Sequence, residues 1–124
     1  MIPIAPHIVA FLHEHLNEQR GASQHTCDSY AYSFQLLFEF AADHFQVTPS
    51  ALALEQLDAD LICQFLVYLE QTRNNSPDTR NVRLAAIRAF FRFLEYRQPA
   101  LLDQIRRILA IPFKRTTTKL YQIP

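Results

Sequence analysis

The sequence predicts an all-α fold, a compact bundle of four main helices plus a short fifth, on three observations. Glycine occurs once in 124 residues, at Gly21, and no Asn-Gly or Asp-Gly pair is present to turn a β-hairpin. Apolar residues recur instead at spacings of three and four, the period of a helix with one buried face. Prolines and small hydroxyl residues fall between these stretches, where helix starts and stops belong.

The first helix is expected over about Pro6–Gln19, with Ile8, Val9, Leu12 and Leu16 on one stripe and Gly21 as its C-terminal cap. A second runs from Gln24 or Thr26 to Phe45, with Tyr30, Phe34, Leu37, Phe38 and Ala41 inward. Pro49 then breaks the chain before a short turn at Ala51–Leu54. Asp58 caps the third helix, Leu57 can staple onto Ile62, and the stripe is Leu61, Ile62, Phe65, Leu66 and Leu69. In the fourth, Ser76 caps, Pro77 takes the first position where a missing N–H costs nothing, and Asp78 complements the helix dipole. Its buried stripe is Leu84, Ile87, Phe91 and Leu94, widened by Phe90, and Pro99 stops it near Arg97. The fifth covers about Ala100–Leu109. From Phe113 onward the amphipathic period stops, so residues 1–112 read as the helical domain and 113–124 as a basic, extended linker.

Size fits one domain, and the ten phenylalanines suit a packed core. No apolar run approaches the ~18 residues that span a bilayer, and Met1–Pro6 has neither the basic nor the apolar region of a signal peptide. A cytoplasmic protein is expected, with Cys27 and Cys63 as two buried reduced thiols. With one glycine, no phosphate-cradling or nucleophile-elbow motif can be written. His13 and His15 are two apart and point to different helix faces, so no metal ligand set forms. Asp58 and Asp60 are sufficiently explained as a cap and a first-turn acid. Neither cofactor, metal nor small-molecule substrate is expected.

Charge is the functional signal. Residues 1–70 carry nine acids against the single base Arg20, whereas residues 71–124 carry eleven Lys or Arg against Asp78, Glu95 and Asp103. Local field rather than net charge governs contact with a polyanion, so the basic half suits one. At ~100° per residue Arg88 and Arg92 flank the apolar stripe of the fourth helix on one side and Arg83 on the other. Arginine suits phosphate because its planar fork donates two bonds and stays charged. The bland possibility is a solvated face paired with Glu95 and with the acidic half. The polyanion reading requires the guanidinium groups at 80–92 to be free of internal carboxylates.

Thr26, Tyr30 and Phe34 at four-residue steps, followed by Leu37, Phe38 and Phe40, resemble the opening helix of the core-binding domain of tyrosine recombinases, the phage-integrase, Xer and Cre-like enzymes. Asp58-Ala59-Asp60-Leu61-Ile62 with Phe65-Leu66 is similar to the next helix of that family. The most specific match is Ser76-Pro77 with Thr79, Asn81 and the run from Arg83 to Leu94, after which Pro99, Ile111-Pro112 and Lys114-Arg115 fall in the same order. The resemblance covers residues 5–124.

It implies a SAM-like helical domain that packs against one side of double-stranded DNA while a separate C-terminal catalytic domain closes on the other. Two helices approach the major groove, their counterparts starting near Thr26 and Thr79. The implied DNA contacts are His25, Thr26 and Ser29 on the earlier helix and Thr79, Arg80, Arg83, Arg88 and Arg92 on the later one, continued by Lys114, Arg115 and Lys119. Arg88 is either a phosphate contact or a brace within the bundle. Asp28 departs from the pattern, since an acid there repels phosphate. The family's tyrosine nucleophile and its Arg, Lys and His partners would lie after Pro124, and Tyr121 has no such partners near it. The chain is therefore expected to bind DNA without cutting it, and to self-associate on DNA as part of a longer protein. The alternative is a helical protein-interaction module that assembles through its acidic and basic halves.

Overall fold

Five helices and three short 3-10 turns make up the computed structural model, which describes residues 1–116. Helix α1 (Ala5–Val9) passes without a break into a π-wound stretch (Ala10–Gln19); α2 is Gln24–Phe45, α3 Ala59–Gln71, α4 Pro77–Arg97 and α5 Leu102–Leu109. The all-α bundle expected from the sequence is the one observed. Helix α4 is its axis, packed against α2, α3 and α5.

Asp58 and Ser76 cap where the sequence puts them, and Ser23 adds a cap that the sequence had not announced. Ser23 is extended, and its Oγ accepts from the Thr26 N–H at 3.1 Å to start α2. Asp58 Oδ1 accepts from Leu61 N–H at 2.9 Å, and Ser76 Oγ from Thr79 N–H at 3.2 Å. Gly21 adopts φ +61° after the first helix, a backbone that glycine takes without Cβ strain. The end of α2 was not signalled by any glycine. Gln46 itself turns left-handed (φ 56°), and Val47 N–H closes on the Ala42 carbonyl at 3.0 Å. The Gln46 amide donates back to the Asp43 carbonyl at 2.7 Å, which offsets part of the cost of that backbone.

Every stripe residue expected of α3 and α4 is buried. The first helix differs. Its π-wound part closes hydrogen bonds over five residues, as in Arg20 N–H to the His15 carbonyl at 2.9 Å, so side chains rotate out of α-helical register. Phe11 becomes fully buried together with Ala10 and Leu16, while Val9, expected inward, is 53 % exposed. Phe11 meets Phe34 and Phe90 with ring centroids at 6.0 and 5.5 Å, and Phe34 meets Phe90 at 5.4 Å. These edge-to-face pairs join α2, α4 and the π-wound stretch in one aromatic core.

Long-range hydrogen bonds fix the ends. Leu54 N–H donates to the Ile2 carbonyl at 2.8 Å, and Ile2 N–H to Glu55 Oε1 at 2.9 Å. That N–H is the main cause holding the Glu55 carboxyl below its usual range. Gln104 of α5 donates to the carbonyls of Leu54 and Leu57 at 2.9 and 3.0 Å.

One expectation about thiols is corrected. Cys27 is half-buried, but Cys63 is exposed, because it lies on α3 outside the stripe formed by Leu61, Ile62, Phe65, Leu66 and Leu69. Of the expected linker, Thr117–Pro124, including Lys119 and Tyr121, lies outside the described residues.

Candidate nucleic-acid interface

The basic residues of α4 separate into two groups with different surroundings. Those near its start face inward. Arg80 is 7 % exposed; its Nη1 donates to the Pro112 carbonyl at 3.2 Å and to Asn81 Oδ1 at 3.0 Å, and its Nε lies 3.8 Å from Glu70 Oε1. Lys114 Nζ reaches the same carboxylate oxygen at 2.7 Å. Glu70 therefore holds two cations implied as DNA contacts, one of them largely withdrawn from solvent. Arg83 crosses to α2, where Nη1 donates to Ser33 Oγ at 3.0 Å and the guanidinium lies 4.9 Å from the Tyr32 ring centroid. Its longer contact to the Ser29 carbonyl is 3.4 Å. Arg83 ties α4 to α2 as a brace.

The second group opens outward. A groove of about 950 Å³ lies between the C-terminal part of the π-wound stretch, the start of α2 and the later turns of α4. Arg20, Arg88, Arg92 and Arg97 line it, with Thr26 and the Phe113 ring, and no carboxylate side chain is part of that lining. Arg88 stands over Phe113 at 4.9 Å and Arg97 over Phe93 at 5.2 Å, both within cation–π range. Arg92 is exposed. Four guanidinium groups with no anionic neighbour in the lining make a positive concavity, and low-dielectric aromatic walls concentrate its field.

The remaining implied contacts among the described residues do not line this groove. His25 is exposed on the first turn of α2 but does not line it, and Ser29 is half-buried beneath Arg83. Thr79 is occupied with the Ser76 cap, its Oγ1 accepting from Ser76 Oγ at 3.2 Å. Arg115 is exposed. Asp28, which breaks the family pattern, accepts from Gln24 Nε2 at 2.7 Å and is not part of the groove lining. Sequence reasoning passed over Arg20, Arg97 and Phe113 as members of the groove. Arg97 lies about 140° around α4 from Arg92 and joins the lining at its far edge over Phe93, a placement that the helical period does not give. Arg20 comes from another element, and no spacing rule brings it there.

His7 anchors the far end of this region. Its Nδ1 accepts from Arg97 Nε at 3.3 Å, which places the ring proton on Nε2 facing the Gln98 side-chain amide at 3.3 Å. Burial first, and the Arg97 charge second, lower the His7 pKa from its ordinary 6.5. Below that value the unfolded chain binds a proton that the folded chain resists, so the His7 contribution to stability is complete above pH 6.5 and is lost as pH falls through the lower, folded value. The urea midpoint should drop on acidification from pH 7 to 5, and His7→Gln should flatten that drop. An unaltered slope in the variant would remove His7 as its source.

A protein-family model described as the phage integrase N-terminal SAM-like domain matches residues 8–98. The chain belongs to that family. Two proteins of Sinorhizobium fredii are similar to it over most of its length. One, named "Putative integrase/recombinase y4rD", is 44% identical over 112 residues, which is 90% of this chain and 40% of that protein. The other, named "Putative integrase/recombinase y4rC", is 43% identical over 117 residues, 94% of this chain and 35% of that protein. The chain thus spans well under half the length of these relatives. No solved structure matches it. Within the SAM-like domain the matched segment takes in Thr26, Arg88, Arg92 and Arg97, so most of the groove falls inside the family region.

Proposed function

We propose that this SAM-like domain is the DNA-binding part of a tyrosine site-specific recombinase or integrase and grips one face of duplex DNA through the arginine groove. The observation that carries this reading is the convergence of Arg20, Arg88, Arg92 and Arg97 on one concavity without a carboxylate. Phosphates would seat along Arg88 and Arg92, with Thr26 and His25 of α2 beside the backbone and Thr79 and Arg115 at the margin. Arg80 and Arg83 would act by holding the scaffold rather than by touching DNA, since their guanidinium groups are engaged by Glu70, Pro112 and Ser33. Strand cleavage would belong to a separate catalytic part of a longer protein, which leaves binding as the role of this chain. A DNA partner also favours the cytoplasm; among the described residues no helix is long and apolar enough to cross a membrane.

The 124-residue chain should bind a labelled duplex with affinity that falls steeply with salt. Each phosphate neutralised contributes about −0.9 to the slope of log K against log salt, so engagement of the four groove arginines would give about −3 to −4. Affinity of one isolated domain should fall near the non-specific range of ~10⁻⁴–10⁻⁶ M. Absence of binding at low salt, or a slope near zero, would refute the reading. Assembly through oppositely charged halves is the competing use of the charge split, though Glu70 already joins the two halves within one molecule by pairing with Arg80 and Lys114. Light-scattering mass that grows with concentration and collapses in salt would favour that assembly.

A further inference from the structure

Asn81, in the first turns of α4, is joined to residue 114 by a two-point backbone pairing that no helix or sheet requires. Its Nδ2 donates to the Lys114 carbonyl at 2.8 Å, and its Oδ1 accepts from the Lys114 N–H at 3.0 Å. The same Oδ1 accepts from Arg80 Nη1, which also holds the Pro112 carbonyl. Lys114 Nζ adds its ion pair to Glu70 at 2.7 Å. Residues 112 and 114 are thus fastened on both sides of Phe113. With the Pro112 carbonyl and both backbone groups of Lys114 held, the backbone on either side of Phe113 is fixed, and with it the direction in which the Phe113 side chain leaves. The Phe113 ring lies under the Arg88 guanidinium at 4.9 Å, inside the groove. Asn81 and Arg88 are seven residues apart and share one face of α4, so the segment runs along that face toward the groove.

We propose that Asn81, with Arg80 and Glu70 in support, is a positioning residue that latches Pro112–Lys114 onto α4 and so sets Phe113 beneath Arg88, presenting that guanidinium to phosphate. Asn81 does not line the groove. The latch stands on geometry alone, and its effect on affinity rests on the reading of the groove as a DNA site. A cation held over a ring keeps fewer rotamers to lose on binding, which is how a remote amide can influence a phosphate contact.

Asn81→Ala removes both points of the pairing, and Asn81→Asp keeps the acceptor for the Lys114 N–H while losing the donor to its carbonyl. Amide exchange at Lys114, and tryptic cleavage at Lys114 and Arg115, should accelerate roughly tenfold in Asn81→Ala and less in Asn81→Asp. The Arg88 side-chain protons should lose the ring-current shift given by Phe113, while the thermal midpoint of the domain stays close to that of the parent. In duplex binding, Arg88→Gln should cost several-fold in the parent and little in the Asn81→Ala background, the coupling expected of residues acting through one another. Unprotected Lys114 in the parent, or Arg88 shifts that do not move when the segment is freed, would overturn the proposal. So would a full Arg88→Gln effect in both backgrounds. If the parent binds no duplex at low salt, the DNA reading falls, whereas the exchange and ring-current measurements still decide the latch.

Discussion

Replacing Phe11 by alanine should destabilise the domain more than any other single truncation in its first helix, by about 3–5 kcal/mol. Phe11 is fully buried and sits at the meeting point of three elements, with its ring 5.4 to 6.2 Å from those of Phe93, Phe90, Phe34 and Tyr30. The π-wound backbone around it makes relaxation into the resulting cavity difficult. Its hydrogen bonds already close over five residues, and any inward shift must disturb the Arg20-to-His15 closure that precedes Gly21. A small domain has total stability of about 5–15 kcal/mol, so the variant should be partly unfolded near body temperature. Chemical denaturation with an unchanged m-value would measure the loss. A cost below about 1 kcal/mol would mean that the aromatic core does not depend on this ring. Phe113→Ala is the useful contrast: that ring is 47 % exposed, and its removal should barely change stability.

The second large effect concerns binding. Reversing Arg88 and Arg92 together to glutamate should weaken duplex binding by about a hundredfold at 50 mM salt and reduce the salt slope by about 2, the loss expected of two phosphate contacts. The fold should tolerate the pair, because Arg92 is exposed and Arg88 forfeits chiefly its contact with Phe113, about 0.5–1 kcal/mol. Arg106→Glu with Arg107→Glu supplies the matched control. It makes the same change in net charge on α5, outside the groove, where Arg107 forms a solvent-exposed pair with Asp103 at 3.2 Å. Equal losses from both pairs would show that overall charge, rather than the groove, attracts the duplex.

Helices α3 and α4 were legible in the sequence because several local signals agreed: Asp58 and Ser76 as caps, Pro77 at the first position, and apolar stripes of strict period. Family membership was legible for the same reason, as motifs in a fixed order. The first helix was not, since π-winding leaves no mark in spacings read at the α period: Val9, expected inward, is exposed, and Phe11, absent from the expected stripe, is buried. The left-handed turns at Gln46 and Asn74 carried no glycine to announce them. Least legible was the fate of the basic residues. Helical spacing sets Arg80 in line with the buried Leu84, Ile87, Phe91 and Leu94 and Arg88 on the flank of that stripe, but it does not show that Glu70 and Pro112 hold the first or that the groove receives the second. That division depends on partners ten to thirty-two residues away in sequence. Spacing along one helix carries no information about such encounters.

The two thiols differ in accessibility, and that difference has a practical use. Cys63 faces solvent on α3, away from the arginine lining, whereas Cys27 is half-buried at the start of α2. A brief maleimide reaction should therefore modify the first well ahead of the second. A fluorophore introduced there, paired with a dye on an oligonucleotide, would report by energy transfer which side of the bundle the duplex occupies, with every arginine left intact.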